Sequence, residues 1–378
     1  VLAGGTAYTV GRRGCQIQLP QHPSISRHHA TITVLPKSAT DVADVEMVPT
    51  VLIADVSKHG TTVNGELLST AEAHRPLHVG DLVVFGTLVK MRVLHLPLVV
   101  SVSPQLSRSA AKLVVDHVCK LGGCVRDTPV RRADIVDAGV SPFATLYVTR
   151  ELDDDAACLL SIMQGYTAVS PEYLPVLYTA IRETPGTALQ SLPHPHAFDV
   201  PLSTSLMGCK YVRPERAVFG PGDYAHAPQP SAAIFRSRHL VFVEKDLMTA
   251  IHDVVVAGDG DISFIDPKAL SSWALSGKGD SLPFRGLLPD RASHGLNVVF
   301  VASSHTFTSL ESRVAARSSA CADDQDCVAA LLKVFRAEFP IVNAENLSRA
   351  VLTRDTAGEM LNRSTPGVLC RTANEEYV

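Results

Sequence analysis

The sequence predicts a multidomain chain: an all-β sandwich over residues 1–96, then two α/β domains over 97–184 and 234–355, each with three layers around a parallel central sheet. Three observations predict this. Short apolar stretches of period two, closed by turn residues, fill the first part without any helix-period run. From Leu98 the order becomes strand, helix, Gly-Gly turn, strand. That order starts again at His239.

In the first domain, Ala7 to Val10 reads as a strand running into Gly11-Arg12. Ala30, Ile32 and Val34 alternate with Thr31 and Thr33, while Val51-Leu52-Ile53 and Leu82-Val83-Val84-Phe85 are short runs bounded by turn residues. Polar clusters sit at the ends of these strands, where loops present side chains to solvent.

The second domain opens with the strand Leu98 to Val102. Leu106, Ala110, Leu113, Val114, Val118 and Leu121 recur at helical spacing, and Gly122-Gly123 closes the helix before Cys124-Val125 rejoins the sheet. Thr145 to Thr149 is a strand, Asp153 to Met163 a helix and Thr167 to Val169 a strand. A last helix starts at Ser170-Pro171-Glu172-Tyr173-Leu174, with a serine cap and proline at the first helical position, which completes a βαββαβα order.

Residues 185–233 hold Pro193, Pro195, Pro201, Pro214, Pro221, Pro228 and Pro230 without sustained periodicity, so they read as an irregular linker. His194-Pro195-His196 lacks a nearby thiolate or carboxylate pair at ligand spacing and is read as loop rather than a zinc site. Beyond it, His239 to Val243 is a strand, and Leu247, Ile251, Val254 and Val255 mark a helix. Gly258-Asp259-Gly260-Asp261 is a turn, since the further ligands and closing glutamate of a calcium loop are missing. Ile262 to Ile265, an irregular insertion through His294 and the strand Asn297 to Ala302 follow. A helix with Val328, Leu331, Leu332, Phe335 and Phe339 on one face, then Pro340-Ile341-Val342 and a helix from Leu347 to Leu352, finish the domain. Residues 356–378 read as a polar tail.

Composition bounds the function. The chain has 378 residues, 46% hydrophobic, with 34 basic against 38 acidic side chains and a net charge of −4, a balance that argues against a dedicated polyanion binder. Eight cysteines are scattered, and the only close pairs, Cys119 with Cys124 and Cys321 with Cys327, have no zinc-type spacing. No transmembrane run or signal peptide is seen, which predicts the cytosol or nucleus and no membrane partner. Val1 in place of methionine predicts a fragment or a trimmed terminus. Walker, Gly-x-Ser-x-Gly, His-Glu-x-x-His and kinase signatures are all missing, so the expectation is a chain that is not an enzyme and needs no cofactor or metal.

Three polar clusters carry the functional reading: Gly11-Arg12, Ser26-Arg27-His28-His29, and Lys58 through Gly65. A phosphate group brings roughly −1.5 to −2 charges and three acceptor oxygens, so its reader needs charge and several donors together. Arg12 offers a planar fork suited to bidentate contact. Ser26 adds a hydroxyl, Arg27 or Lys58 a second charge, and the backbone amides at Gly60 and Thr61 further donors. Asn64 has both an acceptor and a donor, which suits it to grip an extended peptide backbone. His29 precedes a strand and is expected to point inward, buried and neutral, bracing the Ser26 loop. Gly11 and Gly65 support the site. Taken singly, Gly-Arg is common, Ser-Arg-His is an ordinary strand entry, and Asn64-Gly65 is a hairpin turn signal.

In this order and spacing the clusters resemble the forkhead-associated (FHA) domain, whose core pattern is Gly-Arg, Ser-x-x-His and Asn-Gly. The flanks Tyr8 to Arg12, Ser24 to Ala30 and Ser57 to Thr61, with Gly80-Asp81, Phe85-Gly86 and Pro97-Leu98-Val99, narrow the resemblance to FHA domains that lead directly into a BRCT repeat. The short junction at Pro97 predicts a fixed geometry between the two. The resemblance implies a nuclear, non-catalytic adaptor of DNA double-strand-break repair and checkpoint signalling. Its implied partners are phosphothreonine proteins with acidic Ser-Asp-Thr-Asp repeats and a phosphorylated end-resection cofactor. Contacts to the repair nuclease and a checkpoint kinase would use segments outside this chain. A phosphate-independent docking scaffold and a DNA-binding FHA regulator are the alternatives.

BRCT phosphate pockets join a Ser or Thr at the end of the first strand, a Gly-Gly turn and a lysine at the second helix. Ser101 or Ser103 and Gly122-Gly123 match, but Asp153-Asp154-Asp155 stands where the lysine is expected. The first repeat is therefore expected to bind phosphoserine poorly, and the acids double as favourable groups at a helix N-terminus.

Overall fold

A computed structural model describes residues 1–68, 74–129, 144–206, 209, 234–266, 297–302 and 341–353. The predicted helix around Val328 to Phe339, the insertion before His294, the tail and most of the linker after Cys209 lie outside the described residues. The chain forms two compact units. One takes in the described residues of Val1–Leu152 and Gly165–Pro201; the other takes in those of Asp153–Gln164, Leu202–Arg213 and Gln229–Val378.

The first unit starts with the sandwich. Strands β1 (Thr6–Gly11), β2 (Ile17–Gln18), β3 (Ala30–Val34), β4 (Val51–Asp55) and β7 (Arg75–Leu77) form a sheet in the order β2-β1-β3-β4-β7. The facing sheet, β6-β5-β8-β9, contains β5 (Thr61–Val63), β6 (Glu66–Leu67), β8 (Leu82–Phe85) and β9 (Val89–Arg92). Ala30, Ile32 and Val34 are buried while Thr31 and Thr33 are only half-buried, the alternation read from the sequence. With Tyr8, Val10, Ile53, Val63, Val83 and Phe85 they build the sandwich core.

A parallel sheet follows, ordered β11-β10-β12-β13, from β10 (Leu98–Val102), β11 (Cys124–Arg126), β12 (Ala144–Val148) and β13 (Thr167–Val169). Helix α1 (Arg108–Lys120) begins at Ser107, whose hydroxyl accepts the Ala110 N–H, and buries Val114, Val118 and Cys119. Leu113, counted in its apolar face by spacing, is instead 60% exposed. Helix α3 (Tyr173–Glu183) starts two residues past Pro171; Glu172 occupies the cap position without a side-chain bond, and Tyr173, Leu174, Leu177 and Ile181 are buried.

The sandwich and this sheet are sealed together by backbone. The 37–44 segment lies beside the edge strand β11, where Val125 N–H donates to Val42 O at 2.8 Å, and beside the end of α1, where Lys37 N–H donates to Cys119 O at 3.1 Å. The Arg126 guanidinium donates to Ala43 O, and the buried Lys37 ammonium, its pKa lowered by burial, donates to Asp44 O. An open sheet edge is thereby covered. The direct junction at Pro97 thus comes with a bonded contact between the two folds.

The second unit holds a parallel sheet β15-β14-β16-β17, from β14 (Arg238–Phe242), β15 (Asp261–Phe264), β16 (Asn297–Ala302) and β17 (Ile341–Asn343). Helix α4 (Lys245–Ala257) ends at Gly258, and the following turn has Asp259 at φ 63°. Helix α2 (Ala156–Met163) packs in this unit against α4 and against α5 (Ala344–Thr353). It begins three residues later than its sequence suggests because Asp155 is the cap, accepting the Ala157 N–H. Cys158 through Met163 are all buried, so this helix needs neighbours on every face.

Candidate functional site

Three loops of the sandwich meet around Ser26. β1 ends at Gly11, and the next residue turns inward so that Arg12 N–H donates to Ser26 O at 3.1 Å. From the other side Lys58 N–H donates to Ser26 Oγ at 3.0 Å. Arg12 and Lys58 are therefore each one hydrogen bond from the same serine. That hydroxyl accepts one bond and keeps its own proton for an incoming acceptor. The Arg12 Nε is buried and has no hydrogen-bond partner. The Arg27 and Lys58 side chains are exposed.

His29 locks the arrangement. Fully buried, it receives the Ser26 N–H on Nδ1 at 3.0 Å, which leaves the proton on Nε2, 3.2 Å from Gly60 O. Its backbone bonds Val10 O and the Val56 N–H, and its ring stands edge-on to Phe85 with centroids 5.8 Å apart. One neutral imidazole thus ties the Ser26 loop to the Gly60 loop, as expected from the sequence. Burial pushes its pKa below the ordinary histidine value, outweighing the Gly60 bond and Asp55. Burial lowers His95 of the same unit likewise. The unfolded chain therefore takes up protons first: this stability is whole above the free histidine value of about 6.5 and is lost as pH falls from there to the folded value. Thermal melts should show the transition temperature falling as pH drops from neutral toward about 5.5.

Other predicted contacts are placed differently. The Gly60 N–H is taken by Ser57 Oγ at 2.7 Å, and its carbonyl accepts from His29 and Gly86, so this glycine, at φ +83°, organises the loop instead of donating to a ligand. Thr61 is fully buried, its hydroxyl donating to Asp55 Oδ1 at 2.8 Å, so its side chain is not a surface contact. Asn64 sits at φ 53°, with Gly65 at φ 89°, in the β5–β6 hairpin turn. Its Oδ1 accepts the Leu82 N–H at 2.9 Å and its Nδ2 donates to Asp81 at 2.8 Å. Strand β5 separates it from Gly60 by about 13 Å at roughly 3.3 Å per residue. Asn64 is thus a turn lock, and Gly65 supports that turn rather than the site. Asn64→Ala should lower stability by about 1–2 kcal/mol in urea unfolding while leaving phosphopeptide affinity within about twofold.

The structure does not bring the predicted BRCT pocket together. Gly122 and Gly123 precede β11, whose Cys124 aligns with Val99, so they lie at the start of β10; a Cβ on Gly123 would meet Leu98. Ser101 and Ser103 lie toward the other end of β10. Ser101 is buried between strands, and Ser103 Oγ accepts the Gln105 N–H. Gly122 O accepts from His95 and Pro49 covers its α-carbon. Sequence reading also missed Asp55 and Ser57, which hold Thr61 and Gly60. Among the described residues no cluster of His, Cys, Asp and Glu could hold a metal, and no helix is long and apolar enough to cross a membrane.

Comparison with known proteins matches the FHA domain family over residues 8–86. Fold and loops together define a protein with an FHA sandwich followed by BRCT-type α/β repeats. Chicken nibrin is 32% identical over 195 residues, 51% of this chain and 23% of that protein. Mouse nibrin is 40% identical over 124 residues, covering 32% of this chain and 16% of that protein. The structure of the S. pombe Nbs1 FHA/BRCT-repeat domain matches 95% of this chain and 92% of its own at a TM-score of 0.51, and at 13% identity it speaks for the fold alone. The chain is similar to nibrin over its FHA domain and the stretch that follows, and spans less than a quarter of the length of those curated relatives.

Proposed function

We propose that this chain is a non-catalytic adaptor of the nucleus that reads phosphothreonine through its FHA loops and recruits phosphorylated partners to double-strand-break repair and checkpoint assemblies. One observation supports it above the rest: Arg12 has a buried Nε with no partner, one hydrogen bond from a serine that keeps a free proton. A buried guanidinium nitrogen without an acceptor is unfavourable unless a ligand supplies one. Phosphate oxygens supply it in the geometry arginine prefers. Arg12 and Ser26 make the primary contacts, with Arg27 and Lys58 adding charge. His29 and Gly11 position them. The partners are phosphothreonine proteins with acidic Ser-Asp-Thr-Asp repeats, where repeated sites raise weak single affinities through avidity.

Fluorescence anisotropy with matched phosphothreonine and phosphoserine peptides and a DNA duplex tests this. The phosphothreonine peptide should bind and the DNA should not. The first BRCT repeat, lacking an assembled pocket, should add no phosphoserine site. Submicromolar phosphoserine binding that survives Arg12→Ala contradicts that expectation.

A further inference from the structure

The two apolar cores of the first unit stay separate, and a cleft of about 490 Å³ lies where they approach each other. Small-molecule sites typically enclose roughly 300–1,000 Å³. Ile32, Val34 and Phe85 of the sandwich core and Leu98, Leu177 and Ile181 of the core around β10 form its floor, all of them buried. The rim is the stretch that joins β9 to β10, with Arg92 and Leu94 exposed and Leu96 half-buried. Every lining side chain is apolar except that of Arg92. Arg92 Nη1 donates to Gly80 O at 3.5 Å, and among the described residues no carboxylate pairs with this guanidinium. The cleft therefore combines a hydrocarbon floor with one uncompensated cation at its mouth.

We propose that this cleft binds a small amphipathic anion, its aliphatic or aromatic body on the floor and its carboxylate or sulfonate at Arg92. The inference is independent of the phosphothreonine reading. Hydrocarbon walls offer water no hydrogen-bond partners, so an apolar body is the favourable occupant of the floor. Such a body also makes the dispersion contacts that the facing side chains of the two cores do not make with each other. The charged end sets the orientation: on the floor it would lose its water without gaining a donor. At the rim it stays in reach of solvent and takes charge-assisted hydrogen bonds from the guanidinium. At about 30 Å³ per water-sized group the cleft holds roughly sixteen such groups, which admits a ten-carbon chain with its head group. Because both folds supply the floor, the bound molecule touches the sandwich and the β10–β13 domain at once.

The test is a fluorescence titration of the whole chain with anilinonaphthalene sulfonate, then displacement of that probe by decanoate and by decanol, repeated on Arg92→Gln and Leu94→Glu. Both substitutions fall on exposed side chains outside the phosphate loops, so folding is retained. The unaltered chain should bind a single probe molecule saturably, and decanoate should displace it at a lower concentration than decanol does. Arg92→Gln should weaken decanoate by about fivefold and leave decanol within about twofold. Leu94→Glu should weaken both, decanoate by about tenfold, since the added carboxylate repels the anion and takes away apolar wall. An absence of saturable binding, or equal binding in all three proteins, overturns the site. An equal loss of decanol in Arg92→Gln overturns the contact between the anion and the guanidinium. Sedimentation of the same proteins checks a different occupant: a dimer of the unaltered chain that Leu94→Glu dissociates would show the cleft closed by a second copy and overturn the small-molecule site.

Discussion

Arg12→Ala should weaken phosphothreonine-peptide binding by on the order of 100-fold, about 2.7 kcal/mol, without lowering stability by more than about 0.5 kcal/mol. The separation of the two effects follows from how the residue is held. Its backbone N–H makes the bond to Ser26 O, which alanine keeps, while the side chain leaves Nε buried and without a partner. Removing the guanidinium costs the fold no internal bond and costs the complex its charge-assisted fork. Arg12→Lys should recover only part of the affinity, because a point charge cannot reproduce the planar two-point contact. Surface plasmon resonance with one immobilised phosphopeptide ranks the three proteins; a loss under threefold in Arg12→Ala would remove the residue from the site.

Gly11→Ala should damage stability and binding together. The backbone at Gly11 is ordinary β1 geometry, so the reason is space: an added methyl group would overlap the Arg27 carbonyl oxygen and stand 2.9 Å from Cys15 Sγ. Those atoms cannot yield easily, since Cys15 Sγ already contacts Arg27 O at 3.1 Å and the next residue, Arg12, is bonded to Ser26. Relief would push the Arg12 loop away from the Ser26 loop. The expected cost is about 2–3 kcal/mol in urea unfolding. Affinity should fall on the order of tenfold, because misplaced donors lose hydrogen-bond geometry quickly. An unfolding midpoint equal to that of the unaltered chain would show that the loops can part without cost.

Much of the fold is legible from apolar spacing. The alternation at Ala30, Ile32 and Val34 gives a strand where expected because period two survives where one face of a sheet is buried, and the runs at Leu98 and His239 give strands as continuous apolar stretches of parallel sheets buried on both faces. The proposed site draws on Arg12, one residue past β1, and on Ser26 and His29 in the loop that leads into β3. Asn64 is misread because an Asn-Gly pair serves equally as a peptide grip and as a hairpin turn, and only strand length places it at the far end of β5. Thr61 carried a usable signal: it shares a face with the apolar Val63, which by itself predicts burial. Gly122-Gly123 fails as a pocket for a topological reason. In a parallel sheet the turn after the first helix returns to the start of the first strand, opposite the end where Ser103 lies. The lateral seal between the 37–44 segment and β11 has no sequence signal, since edge pairing through backbone atoms is blind to side-chain type.

The most direct test of the account is a calorimetric titration of the whole chain with a doubly phosphorylated Ser-Asp-Thr-Asp peptide, its unphosphorylated twin, and the phosphorylated peptide against Arg12→Ala. Binding at a dissociation constant on the order of micromolar, about 8 kcal/mol, is expected only for the phosphorylated peptide on the unaltered chain. Equal binding in all three titrations, or none in any, would contradict a phosphothreonine reader and leave the sandwich a docking scaffold.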